Sequence, residues 1–200
     1  MSTIKKICVY CGSGSGSDPI FVEAARKLGK AMAEQRIGLV YGGGSVGLMG
    51  EVSDAVLDNG GEITGIIPTF LMTRERASRR GEIIVTRDMH ERKQQMFERA
   101  DAFVALPGGI GTLEEIVEQL TWKQLGRHRK PILLANIKGF WNPLCALFDH
   151  MNKLAFIRPG LDVTYLVADR AEDILPTLLD AAREIPESET GMKTADVETL

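Results

Sequence analysis

A doubly wound α/β fold, with a mostly parallel sheet of about seven strands and helices on both faces, follows from three features of the sequence. Short β-rich runs alternate with helical patterns along the chain. Most of those runs are apolar almost throughout, as in Ala102-Phe103-Val104-Ala105-Leu106. A strand with one wet face would alternate apolar and polar residues, so these strands are covered on both sides. Three of the runs end in glycine-rich turns, at 11–17, 42–50 and 107–112. Open α/β sheets bind ligands outside the carboxyl ends of their strands, so the turns mark one functional edge.

The first strand is expected over 6–10 and ends in Cys11-Gly12-Ser13-Gly14-Ser15-Gly16-Ser17. Asp18-Pro19 reads as an N-cap followed by proline at the first helical position, opening a helix over 19–35. A second strand, 38–41, runs into the turn from Gly42 to Gly50 and a helix over 48–59, which Asn59-Gly60-Gly61 stops. The third strand is 62–67. The charged stretch 68–81 has two readings, a lid or turn of helix near the ligand and an ordinary surface connection. After a fourth strand, 82–86, Asp88-Met89-His90-Glu91 resembles a capping box with Asp as the cap and opens a helix over 89–99. The fifth strand, 102–106, passes through its turn to a helix over 112–125. A strand at 131–135, a helix at 143–153, a strand at 163–167 and a helix at 171–185 complete the pattern. There is no repeat or linker, so residues 1–185 form one domain, and the polar stretch 186–200 is expected to be a mobile tail.

The length of 200 residues suits one domain with a large core. A formal net charge of −3 gives no general attraction to nucleic acid or to a membrane surface. The basic clusters at 74–80 and 127–130 read as solvated surface. No apolar run approaches the roughly 20 residues that span a bilayer. The N-terminus lacks the apolar region and cleavage site of a signal peptide, so a cytoplasmic protein is expected. Cys8 and Cys11 have CxxC spacing, but residues three apart on a strand point to opposite faces. No second Cys/His pair completes a zinc site. Together with Cys145 they are expected to be reduced structural thiols, and no metal is expected.

The densest chemistry lies in Leu106-Pro107-Gly108-Gly109-Ile110-Gly111-Thr112-Leu113-Glu114-Glu115. Glycines let backbone approach a ligand, and the first free N–H groups of the following helix favour an anion. Thr112 adds a hydroxyl, and two carboxylates follow that a phosphate loop alone does not need. Gly12 and Ser13 in the first turn, and Gly43 and Gly44 in the second, are expected to approach the same ligand. Gly42-x-Gly44-x-x-Gly47 matches the dinucleotide pattern, but the next strand ends Ile67-Pro68 with no acid for a ribose, so NAD is disfavoured. No GxxxxGK[ST] sequence is present.

Along 112–125, Leu113, Ile116, Val117 and Leu120 form a stripe expected to face the sheet. Glu115, Glu118 and Trp122 then fall on the opposite side. The carboxylates there read either as solvated or as part of the site. A large aromatic away from the core points to a second subunit at or near this helix. On the helix 89–99, Met89, Met96, Phe97 and Ala100 mark the core stripe, with Lys93 inside it and Arg92 on its edge. Snorkelling explains both cations in isolation. Beside the glycine turns, a ligand-facing role is the expectation. His90 is read as surface or as a residue standing behind those that touch the ligand.

Met89-His90-Glu91-Arg92-Lys93 followed by Pro107-Gly108-Gly109-Ile110-Gly111-Thr112-Leu113-Glu114-Glu115 strongly resembles the "lonely guy" family. These are cytokinin riboside 5′-monophosphate phosphoribohydrolases, long labelled lysine decarboxylases. The likeness continues through Tyr41-Gly42-Gly43-Gly44-Ser45-Val46-Gly47-Leu48-Met49-Gly50, Thr121-Trp122-Lys123-Gln124-Leu125-Gly126 and Lys130-Pro131. It implies a Rossmann-like homodimer that splits the N-glycosidic bond of a purine nucleoside 5′-monophosphate into free base and ribose 5-phosphate, without a cofactor. The family's catalytic Arg and Glu map onto Arg92 and Glu115, and its phosphate-binding segment onto Gly108, Gly109, Gly111 and Thr112. Met89, Lys93 and Pro107, within the same motifs, are expected to contribute to substrate binding. An alternative is a nucleotide-binding or sensing protein of the same fold that catalyses nothing. A pyridoxal-dependent lysine decarboxylase would need a cofactor lysine, to which no motif points.

Overall fold

The computed structural model describes residues 4–73, 75–158 and 160–184. The tail expected over 186–200 lies outside the described residues. In chain order the elements are β1 (Lys6–Tyr10), α1 (Pro19–Glu34), β2 (Gly38–Tyr41), α2 (Gly47–Asp58), β3 (Ile63–Pro68), β4 (Glu82–Thr86), α3 (Met89–Arg99), β5 (Ala102–Ala105), α4 (Ile110–Gln124), β6 (Ile132–Ala135), α5 (Asn142–Lys153), β7 (Leu166–Ala168) and α6 (Ala171–Arg183). Short 3-10 turns occur at Thr69–Leu71 and Ile137–Gly139.

All seven strands pair in parallel, in the order β4-β3-β2-β1-β5-β6-β7. This is the doubly wound, Rossmann-like sheet that the apolar strand runs predict. Side chains alternate across it, so β1 feeds two cores. Ile7, Val9 and Cys11 pack on one face with residues of α1, α2 and α6. Cys8 and Tyr10 pack on the other with residues of α3, α4 and α5. The two thiols of the CxxC spacing therefore lie on opposite sides of the sheet, and burial pushes both well above the usual thiol range. Such thiols are poor nucleophiles.

The second core holds two buried bases. Lys130 donates from Nζ to the Phe97 carbonyl at 2.7 Å and stands 3.9 Å from the Phe97 ring centroid. Burial pulls its pKa down to about 8. His128 accepts the Lys130 N–H at Nδ1, so its neutral form donates from Nε2 to the Gln119 carbonyl. Burial holds it at about 4.

Local signals account for the helix ends. The Asp18 carboxylate caps α1 by accepting the Ile20 N–H at 3.0 Å, with Pro19 as the first helical residue. Asp88 caps α3 by accepting the Glu91 N–H at 2.8 Å. Glu91 does not close a capping box onto Asp88. It reaches one residue further back and accepts the Arg87 N–H at 2.9 Å. After α2, Gly60 and Gly61 donate to Leu57 and Val56, the double closure of a Schellman end.

Several boundaries shift by a few residues, and two of the shifts have a visible physical reason. The last strand, expected over 163–167, pairs only over Leu166–Ala168. Val163 and Tyr165 turn instead toward the second core, where Tyr165 lies 5.7 Å from Phe148 between ring centroids. α4 begins at Ile110, two residues early, because Gly109 takes the extended N-cap conformation.

Among the described residues no α-helix lies between β3 and β4, only the 3-10 turn at Thr69–Leu71. Their parallel pairing still requires a crossover of a dozen or so residues, and the segment 69–81 supplies it. It passes the carboxyl edge of the sheet, where Ala77 makes an antiparallel bridge with Gly44 and Ser78 donates to the Gly43 carbonyl at 2.9 Å. The charged stretch that the sequence left between two readings thus lies at the functional edge.

Candidate active site

The chain leaves β1 toward β2 on one side and leaves β5 toward β6 on the other. The β1/β5 boundary is therefore the topological switch point, where doubly wound sheets open a crevice. All three glycine-rich turns meet there. Gly12 donates to the Pro107 carbonyl at 3.1 Å, and Leu48 donates to the Gly12 carbonyl at 3.0 Å. A Cβ on Gly108 would stand 2.6 Å from the Thr112 Cβ and 2.8 Å from the Gly12 nitrogen, so only glycine fits between the first turn and α4.

A cavity of about 310 Å³ opens beside this knot. Its floor is Val9, Tyr10 and Cys11 at the end of β1. Its walls include Arg92 from α3 and Glu115 from α4. These two side chains come from elements 23 positions apart and meet at 2.5 Å between the Arg92 guanidinium and the Glu115 carboxylate. Arg92 is 7% exposed and Glu115 8%. Arg92 is further fixed by Nε, which donates to the Ile66 carbonyl on β3 at 3.0 Å. Gly42 lies under the guanidinium, where a Cβ would come within 2.6 Å of a terminal nitrogen. Burial raises the pKa of Glu115, and the neighbouring Arg92 charge opposes that rise. A buried carboxylate is tolerable here because its charge is paired.

One turn back along α4 lies the open start of the helix. The N–H groups of Ile110, Gly111 and Thr112 have no acceptor among the described residues, and Leu113 is the first to bond back, to Gly109. Gly109 and Gly111 both line the cavity, yet a Cβ on either would meet no atom within 4 Å. The fold itself does not require glycine there. Glycine at both positions leaves the N-terminus of α4 open to the cavity, a geometry that suits an anion.

Of the residues expected at the site, Arg92, Glu115, Gly12, Ser13, Met89, Gly109, Gly111 and Thr112 line this cavity. Pro107 and Gly108 sit behind it, lining an adjoining cavity with Gly12, Ser13 and Gly109. Gly43 and Gly44 hold the segment 69–81 in place. Lys93 donates instead to Glu114 at 2.7 Å and Glu118 at 2.9 Å, tying α3 to α4. The cavity also takes in Gly42, Met49, Leu71 and Glu75. Gly42 and Met49 belong to a turn whose glycine pattern was visible. Leu71 and Glu75 carry no sequence signal.

The orientation of α4 corrects the expected one. Its inward residues are Thr112, Glu115, Ile116, Gln119 and Leu120. The helix is rotated so that Glu115 faces the sheet side and Leu113 and Val117 turn half outward. Polar residues occupy much of the true inner stripe, and hydrophobic periodicity underweights them. Trp122 is half-buried and lines an apolar groove between α4 and α5. Its ring packs edge-on to Phe97, with centroids 5.1 Å apart, and Arg127 stands 5.0 Å from its centroid.

The sequence matches the family model described as "Possible lysine decarboxylase" over residues 49–178. It is 48% identical over 187 residues to the cytokinin riboside 5′-monophosphate phosphoribohydrolase LOG7 of Arabidopsis thaliana, covering 93% of this chain and 86% of that protein. It is 45% identical over 192 residues to the cytokinin riboside 5′-monophosphate phosphoribohydrolase LOG of Oryza sativa subsp. japonica, covering 96% and 78% respectively. Among solved structures, the Moco carrier protein of Chlamydomonas reinhardtii superposes with a TM-score of 0.67 at 21% identity, covering 92% of this chain and 100% of that one. At that identity the likeness speaks for the fold alone.

Proposed function

Because the chain belongs to the cytokinin riboside 5′-monophosphate phosphoribohydrolase family, we propose that it hydrolyses the N-glycosidic bond of a purine nucleoside 5′-monophosphate. Water adds at C1′ of the sugar, the base leaves with a proton, and ribose 5-phosphate remains. The observation that carries this reading is the Arg92–Glu115 pair on the cavity wall, one helical turn from three unpartnered backbone amides.

The amides of Ile110, Gly111 and Thr112 hold the 5′-phosphate at the positive end of the α4 dipole. Binding a group remote from the reacting bond fixes the sugar where Glu115 can act. Glycosidic cleavage develops oxocarbenium character at C1′. One Glu115 oxygen is engaged by Arg92. The other is left to face that charge and to orient or deprotonate water. Arg92 keeps Glu115 ionised against burial and sets its rotamer. Lys93 acts at one remove, by holding Glu114 and Glu118 on the same helix. Among the described residues no lysine lines the cavity, so nothing there serves a pyridoxal decarboxylase.

Three finer readings accompany this one. AMP is a substrate along with its N6-prenylated forms. The reaction belongs in the cytoplasm, where nucleoside monophosphates are made. The protein is a homodimer, supported by an apolar groove of about 570 Å³ between α4 and α5 that includes Leu113, Val117, Leu147 and Met151. Ile110, at 81% exposed, lies at its end.

Pure protein incubated with AMP and with isopentenyladenosine monophosphate should release free base, detected by chromatography. Measurable nucleotide binding without base release from either would leave only a binding or sensing role.

A further inference from the structure

Half of the basic cluster 127–130 is interior, with His128 2% exposed and Lys130 6%. The reaction described above uses neither side chain, and burying each carries a cost that its contacts must offset. Lys130 serves α3. Its Nζ donates to the Phe97 carbonyl in the last turn of that helix at 2.7 Å, a cation at the negative end of the helix dipole, and Arg92 lies earlier on the same helix. His128 serves α4. Its Nε2 donates at 3.2 Å to the Gln119 carbonyl, one turn beyond Glu115. The two are joined to each other, because the Lys130 N–H donates to His128 Nδ1 at 3.1 Å.

The Phe97 ring packs the same elements together. Its centroid lies 5.1 Å from that of Trp122 on α4, 5.2 Å from that of His128 and 3.9 Å from Lys130 Nζ. The next residue, Pro131, accepts the Phe103 N–H at 2.9 Å and so anchors the assembly to β5. Lys93 bridges α3 and α4 beside the catalytic pair, through Glu114 and Glu118. The segment 128–130 joins them beyond the pair, toward their carboxyl ends. Arg92 and Glu115 come from separate helices, so their 2.5 Å contact is set by how those helices are held. Resting on the hydrolase reading above, we propose that His128 and Lys130 are positioning residues, which fix the carboxyl ends of α4 and α3 on the sheet so that the Arg92 guanidinium meets the Glu115 carboxylate in reacting geometry.

The test measures AMP hydrolysis by the wild type, Lys130→Met and His128→Leu, with the urea midpoint of each. Misplacing a reacting group by about 1 Å costs on the order of a hundred-fold in rate. Each variant should lower kcat by about ten-fold or more. KM should stay within about three-fold, because the phosphate rests on backbone amides at the opposite end of α4. The acid limb of kcat against pH is the second readout. Arg92 and Lys93 act to lower the Glu115 pKa and Glu114 acts to raise it. Cys8, Tyr10 and Cys11 are the titratable groups that feel Glu115 from the sheet side. Loosening Arg92 from Glu115 should therefore move the limb to higher pH. A clamp with a merely structural role would lower the urea midpoint only. An unmoved limb or an unchanged kcat in the folded variants would overturn the positioning role alone. No base release by the wild type would overturn the hydrolase reading and this inference with it. If Lys130→Met does not fold, His128→Leu decides by the same readouts.

Discussion

Glu115 brings together burial, charge and position along α4. It is nearly inaccessible, it bonds a guanidinium at 2.5 Å, and it lies one turn beyond the unpartnered amides that open α4. Glu115→Gln keeps the shape and removes the charge. It should leave nucleotide affinity within a few fold and lower kcat by about a hundred-fold or more, as expected for loss of a group that acts mainly in the transition state. Full retained turnover would move the role to another carboxylate. Burial raises the Glu115 pKa above its ordinary 4.5, so as pH falls the ionised form is lost sooner than for a free glutamate. The acid limb of kcat against pH should accordingly lie above 4.5 and disappear from the residual rate of Glu115→Gln. A limb that persists in the variant would belong to a different group.

At the level of elements, the sequence was most legible where one signal dominates. The apolar strand runs and the Asp18 and Asp88 caps placed β1, β2, β4, α1 and α3 to within a residue. The glycine turns located the edge that carries the site. Legibility failed where signals conflict or are absent. The face of α4 was misjudged because Thr112, Glu115 and Gln119 point inward, and their polarity disguises the buried stripe. Leu71 and Glu75 join the cavity through a crossover with no periodicity to read. The α3 terminus offers a test of its own, since Lys130 is buried beneath it with a pKa of about 8 instead of 10.5. A base whose pKa falls on folding binds fewer protons in the folded than in the unfolded state between those values, so stability rises with pH across that window. Urea melts of the wild type and Lys130→Met at pH 7.5 and pH 10 should therefore show the wild type gaining on the variant at the higher pH. A constant difference would mean that Lys130 is not strained by its burial.

The molecule as a whole is one sheet between two cores, with α1, α2 and α6 on one face and α3, α4 and α5 on the other. Arg92 and Glu115 both come from the second layer. The apolar groove between α4 and α5 lies in that layer too, so an assembly formed there would abut the site. Leu147, 45% exposed in the groove, can be changed to Glu with little cost to a monomer. Sedimentation velocity should then show a dimer for the wild type and a monomer for Leu147→Glu. Dimers persisting in the variant would place the contact elsewhere. The crossover bearing Leu71 and Glu75 is attached differently. It hangs from the turn at Gly43, Gly44 and Ser45 by backbone bonds and contributes no side chain to either core cluster. Its side-chain ties run to the surface of α2, where Arg80 pairs with Asp54 and Asp58, so substitutions at Leu71 and Glu75 should leave the sheet and the Arg92–Glu115 pair in place. Descendants of such a scaffold are free to acquire new nucleotide preferences while inheriting the scission machinery intact.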